Sequence, residues 1–96
     1  MNVGICTVKL HLPENNSLKG KRQVLKSIIA RVQNKFNVSI AEVDDNDLWQ
    51  MATIGIAIVN NDQRYTNEVL SKVVSFIRDS RCEAEMLDYE IEILPV

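Results

Sequence analysis

The sequence predicts an α+β domain in which a four-stranded antiparallel sheet carries two helices on one face. Three observations predict it. Apolar periodicity switches between two and 3.6 residues in the order strand, helix, strand, strand, helix, strand. Clusters of Asn, Asp, Ser and Pro mark the switches. The chain has 96 residues, 46% of them hydrophobic and 25% charged, enough for one two-layer core and too few for a second.

Residues 3–12, "VGICTVKLHL", alternate, with Cys6, Val8, Leu10 and Leu12 on one side and Thr7, Lys9 and His11 on the other. This is the signature of a half-buried strand. "PENN" ends it, and Ser17 is a suitable helix N-cap. Leu18, Leu25, Ile28, Ile29, Val32 and Phe36 then recur at helical spacing, predicting a helix over 18–36 with Asn37 as a left-handed stop. "VSIAEV", 38–43, reads as a second strand, "DDNDLW" as a polar turn, and "QMATIGIAIV", 50–59, as a third strand. "NNDQ" caps a second helix over 62–81, whose stripe is Val69, Leu70, Val73, Phe76 and Ile77. "MLDYEIEIL" is the fourth strand, with Tyr89, Ile91 and Ile93 on the core side and Glu90 and Glu92 opposite.

This order is that of the ferredoxin-like βαββαβ fold, a single domain over 1–96. Right-handed crossovers give strand order 4-1-3-2 with both helices on one face. The open face should carry Thr7, Lys9, His11, Thr53, Gly55, Ala57, Glu90 and Glu92. No apolar run approaches the roughly 20 residues needed to span a bilayer. The N-terminus lacks the charged and apolar regions of a signal peptide. Cys6 and Cys82 are the only cysteines. They make no disulfide framework, Cys6 reads as a small core hydrophobe, and a cytoplasmic location is expected.

Charge is distributed unevenly. Segment 15–41 holds Lys19, Lys21, Arg22, Lys26, Arg31 and Lys35 and no acid, a charge of +6. The other five Lys and Arg face all thirteen acids, a balance of −8. On the helix, Lys19, Arg22 and Lys26 line one flank, and Arg31 and Lys35 the other. Cations at a helix N-terminus oppose the macrodipole, and Gly20 in the first turn costs about 1 kcal/mol relative to alanine. Free backbone N–H groups, a glycine permitting close approach and surrounding cations together suggest a phosphate site, suited to an RNA backbone. The alternative is a solvated or internally paired helix face.

Other constellations point less far. "EVDDND", 42–47, is dense in carboxylates but lacks the glycine and distant glutamate of a calcium loop, and reads as a hairpin turn. His11 is the only histidine, so no nucleophilic triad assembles. A non-enzymatic protein with no cofactor, metal or small-molecule substrate is expected. Acylphosphatase-type chemistry needs an arginine in the loop after the first strand, and "PENN" has none. Stacking of bases on the sheet needs aromatics that the first strand lacks, and Trp49, at the start of the third strand, is the only nearby candidate, so such stacking is disfavoured and an RNA contact is expected to be mainly electrostatic, through the first helix. The small residues Thr53, Gly55 and Ala57, with Lys9, His11, Trp49, Glu90 and Glu92 around them, suit close approach by another protein surface, including a second copy.

The stretch 17–62, with "SLKGKR", "FNVSIAEVD" and "DLW" before a small-residue strand, resembles the YlxP-like family of small bacterial proteins, and the likeness extends over nearly the whole chain. The residues that carry it are Ser17, Leu18, Lys19, Lys21 and Arg22, then Phe36 to Asp44, and Trp49. Gly20 departs from the family pattern, where a polar or acidic residue is expected, so the capping box from Ser17 is lost. The resemblance implies a ferredoxin-like fold and a bacterial cytoplasmic protein whose gene often neighbours those of translation initiation and ribosome maturation. The family is one of unknown function with no assigned catalytic residues, so none carries over. The leading expectation is an accessory protein of ribosome assembly or translation that touches ribosomal RNA or a ribosomal subunit through Lys19, Lys21, Arg22, Lys26, Arg31 and Lys35. The alternative is a protein-interaction module that dimerises or docks through the open sheet face.

Overall fold

Alternation in the strands and 3.6-residue periodicity in the helices give each element one apolar side, and the fold brings those sides together. The computed structural model describes residues 1–80 and 83–96. Its elements are β1 (Asn2–His11), α1 (Leu18–Lys35), β2 (Ser39–Asp44), β3 (Met51–Asn60), α2 (Gln63–Asp79) and β4 (Glu85–Pro95). Cys82 and the expected last residue of the second helix lie outside the described residues. The strands pair antiparallel in the order β2-β3-β1-β4, which read in reverse is the expected 4-1-3-2.

The core lies between sheet and helices. Cys6, Val8 and Leu10 of β1 and Ala52, Ile54 and Ile56 of β3 meet Leu25, Ile28 and Val32 of α1 and Leu70, Val73, Val74 and Ile77 of α2. Each fully buried aliphatic side chain of this kind contributes about 1.5–3 kcal/mol of transfer free energy. α1 packs over β2, while α2 packs over β1, β3 and β4. Phe36 and Phe76 close the space between the helices edge to face, with ring centroids 5.7 Å apart.

Two local expectations are corrected. Asn37 is not a left-handed stop. α1 ends at an extended Phe36 whose N–H donates to Val32 O at 2.8 Å, and Asp45 is the one non-glycine residue with positive φ among those described. Tyr89 faces the helix side opposite Val8 but is 46% exposed, because β4 is an edge strand covered on its inner side only. Two register shifts, one between Lys9 and Leu10 against β4 and one between Glu42 and Asp44 against β3, leave Leu87 and Val43 as the extra residues.

Candidate nucleic-acid interface

The first turn of α1 is tied to two loops by its own side chains. Ser17 caps the helix by accepting from Gly20 N at 3.0 Å. Lys21 lies on the same stripe as Leu25, Ile28 and Val32 and is 1% exposed. Its ammonium has three protons, and Nζ donates to Asp45 O at 2.8 Å, Asn46 O at 3.2 Å and Met51 O at 3.2 Å. Glu42 Oε2 stands 2.9 Å from Nζ as an ion pair. That oxygen is buried and accepts no hydrogen bond, since the three carbonyls already take the three protons.

Lys21 is therefore removed from the expected phosphate-binding set. Its charge is balanced from inside by a carboxylate and three carbonyl dipoles, and no partner can reach it. The signal was present in the sequence: positions 21, 25, 28 and 32 share one helical face. The close approach expected at Gly20 is also filled from within. A Cβ there would fall 2.3 Å from Asn15 Oδ1. The Asn15 amide sits in that space and donates to Ser17 O at 2.7 Å and to Trp49 O. Gly20 thus makes room for an asparagine of the same chain, which holds the first turn in place of the missing capping box.

The same bonds fix the loop between β2 and β3. Leu12 N donates to Gln50 O at 2.9 Å, Gln50 Nε2 donates to Asn15 O at 3.1 Å, and Leu48 N donates to Asp45 O at 3.0 Å. With the backbone held, Leu48 and Trp49 turn their side chains outward, and Trp49 is 55% exposed. It belongs to this loop beside the α1 start, and β3 begins two residues later at Met51.

The other cations are exposed. Lys19, Arg22 and Lys26 make no ion pair among the described residues. On the opposite flank, Arg31 Nη2 donates to Ser27 Oγ at 3.0 Å, and Lys35 Nζ lies 4.9 Å from the Phe76 ring centre. Arg31, Lys35 and Lys72 border an open groove of about 680 Å³ between the helices, floored by Phe36 and Phe76. The six expected cations thus divide into a flank of three, a groove pair and one buried pin.

The open sheet face carries the expected residues in register. Lys9 pairs with Thr53 and Asp88, Thr7 with Gly55 and Glu90, and Ile5 with Ala57 and Glu92. His11 Nδ1 donates to Glu85 Oε1 at 2.7 Å. The expected small-residue landing area, however, is covered by the chain itself at Thr53 and Gly55. Thr53 is 4% exposed, and its hydroxyl donates to Asp45 Oδ2 at 2.7 Å. Lys9 Nζ lies 3.9 Å from the same carboxylate oxygen. Val43 fills the space over Gly55, where a Cβ would fall 2.8 Å from its Cγ1. Asp45, with φ 61°, turns its carbonyl to Lys21 and its carboxylate to Thr53, so one strained residue serves both sides of the sheet.

Glu42, Asp44 and Asp45 are taken up in this way, with Asp44 Oδ1 accepting from Asp45 N at 2.8 Å. Among the described residues no three His, Cys, Asp or Glu converge as metal ligands. Cys6 is fully buried, and burial pushes its thiol up to about 11. No helix among the described residues is long and apolar enough to cross a membrane.

The fold and this site define a small ferredoxin-like α+β domain with a cationic helix flank beside a pinned, tryptophan-bearing loop. The family model described as "Protein of unknown function (DUF503)" matches residues 3–91, and the chain belongs to that family. It is 45% identical over 83 residues to the "Uncharacterized protein YlxP" of Bacillus subtilis (strain 168), an alignment covering 86% of this chain and 89% of the relative. Among solved structures, the "De novo designed protein Foldit4" matches with a TM-score of 0.54 at 13% identity, covering 100% of this chain and 99% of the design. That likeness is one of fold alone.

Proposed function

We propose that the protein is a non-enzymatic, cytoplasmic accessory factor of ribosome assembly or translation that binds RNA phosphates through the exposed flank of α1. The observation that carries this reading is the set Lys19, Arg22 and Lys26, exposed and without ion pairs among the described residues, on a chain whose acids gather elsewhere. Glu90 and Glu92 stand on the open face of the sheet, opposite the helices, so they leave this flank cationic. Arg31 and Lys35 extend the positive surface toward the groove. Docking of a second copy on the open sheet face is less well supported, because Asp45 and Val43 already occupy the ground over Thr53 and Gly55.

Co-sedimentation with ribosomal subunits at low and moderate salt tests the proposal. Three phosphate contacts predict that log K falls by roughly 2–3 for each tenfold rise in salt. Lys19→Ala/Arg22→Ala/Lys26→Ala should remove most of the binding and flatten that slope. Binding that is indifferent to salt, or unchanged in the triple variant, would refute the phosphate contact.

A further inference from the structure

We infer that Trp49 is a base-stacking platform, and that the RNA this protein takes is single-stranded where it crosses the start of α1. This deepens the proposed function and rests on it.

Trp49 is more than half exposed and offers the largest aromatic surface in the chain to a partner. In a loose loop, collapse onto the surface would be the ordinary outcome. Here the backbone is prevented from yielding. Lys21 takes the carbonyls of Asp45, Asn46 and Met51, and Asn15 takes the carbonyl of Trp49. Gln50 O accepts from Leu12 N, and the Gln50 amide donates to Asn15 O. These bonds are made from main-chain carbonyls, so they fix the loop while leaving the Trp49 side chain without a role in it. An aromatic carried on an already ordered backbone spares a partner the entropy of ordering the loop.

The setting selects the partner. Asn15 joins Trp49 to the first turn of α1, where Lys19 and Arg22 are exposed and make no ion pair among the described residues. An exposed indole on a loop bonded to a helix start that carries unpaired cations matches a polyanion that presents flat apolar rings, which is a single-stranded nucleic acid. Duplex RNA hides its base faces inside the stack and offers the indole nothing. The helix N-terminus is not taken as the anion site, because Ser17 Oγ already accepts the Gly20 N–H and the Asn15 amide occupies the space beside it. A phosphate would meet side-chain cations while its neighbouring base meets the ring.

Trp49 is the only tryptophan, so intrinsic emission of the full chain reports on this position alone. Wild-type emission is followed during titration with a short oligouridylate, a blunt RNA duplex, inorganic polyphosphate and phosphatidylserine vesicles, and the affinities of wild type, Trp49→Phe and Trp49→Ala are read from the anisotropy of an end-labelled oligouridylate, with polyphosphate as competitor, at low and moderate salt. The expected result is quenching by oligouridylate, with Trp49→Ala binding it roughly tenfold more weakly and Trp49→Phe retaining most of the affinity. Polyphosphate affinity and the salt slope should be the same in all three proteins. Because only the Trp49 carbonyl is held, both variants keep the loop bonds. Equal oligouridylate affinity in Trp49→Ala and wild type overturns the stacking role and leaves the phosphate reading standing. Equal quenching by the duplex, or quenching by vesicles alone, overturns the single-strand assignment. Failure of wild type to bind either RNA or polyphosphate overturns the phosphate reading, and this inference with it.

Discussion

The two helices begin alike and bury different things. Each starts after a polar cap in extended conformation, Ser17 or Asp62, whose side chain accepts the N–H three residues on, at 3.0 Å from Gly20 and 3.1 Å from Tyr65. Four residues after each cap a polar side chain turns inward: Lys21 in α1, Thr66 in α2. Thr66 is satisfied within its own turn, its hydroxyl donating to Asp62 O at 2.9 Å. Lys21 is satisfied only by groups 21 to 30 positions away in the chain. The first solution is local and stabilises one helix turn. The second is a tertiary cross-link that orients the β2–β3 loop and, with it, Trp49. A buried polar residue in one half of the fold is therefore a helix detail, and its counterpart in the other half organises a surface.

Lys21→Met should have the largest effect. Three carbonyls lose their donor and Glu42 is left with an unpaired, largely buried charge, so a loss of about 3–5 kcal/mol is expected from urea unfolding. Adding Glu42→Leu should restore part of it by removing the orphaned charge, the carbonyls remaining unpaired. If Lys21→Met costs no more than the corresponding change in α2, the cross-link does not hold the loop.

A smaller effect sharpens the account of the α1 start. In an Asn15→Ala background, Gly20→Ala should stabilise by about 1 kcal/mol, the ordinary helix-propensity gain. With Asn15 present that gain should vanish, because the new methyl meets the amide. The coupling is read from a double-mutant cycle, and simple additivity would show that the amide moves away freely.

Thr66→Val should have the smallest effect, below about 1 kcal/mol by thermal or urea unfolding. The Asp62 carbonyl keeps its bond from Thr66 N at 3.0 Å, so no buried acceptor is orphaned. A larger loss would make Thr66 a second long-range organiser and erase the contrast between the two halves.

Much of the fold was legible in the sequence because the signals behind it are local. Alternation at 3–12 and 50–59 and the stripe from Leu25 to Val32 each set which side of an element is apolar. The candidate site was legible only in part. The exposed flank of Lys19, Arg22 and Lys26 follows from helix geometry alone. The burial of Lys21 was foreshadowed by its position on the apolar stripe, but its partners were not, since Asp45, Asn46 and Met51 contribute main-chain carbonyls that any residue would supply. Thr53 and Gly55 misled for a related reason. Their alternation places them correctly on the open face, yet the register shift beside Val43 brings the turn back over them.

The sequence by itself determined the order of elements, the sheet topology, the core stripes and the positive charge of α1, because periodicity, caps and charge are properties of neighbours along the chain. Tertiary packing made Lys21 an internal pin, put Asn15 into the space at Gly20, and tied the Trp49 loop to the start of α1. Those outcomes depend on main-chain carbonyls and small volumes meeting across two loops, and neither leaves a mark on residue type.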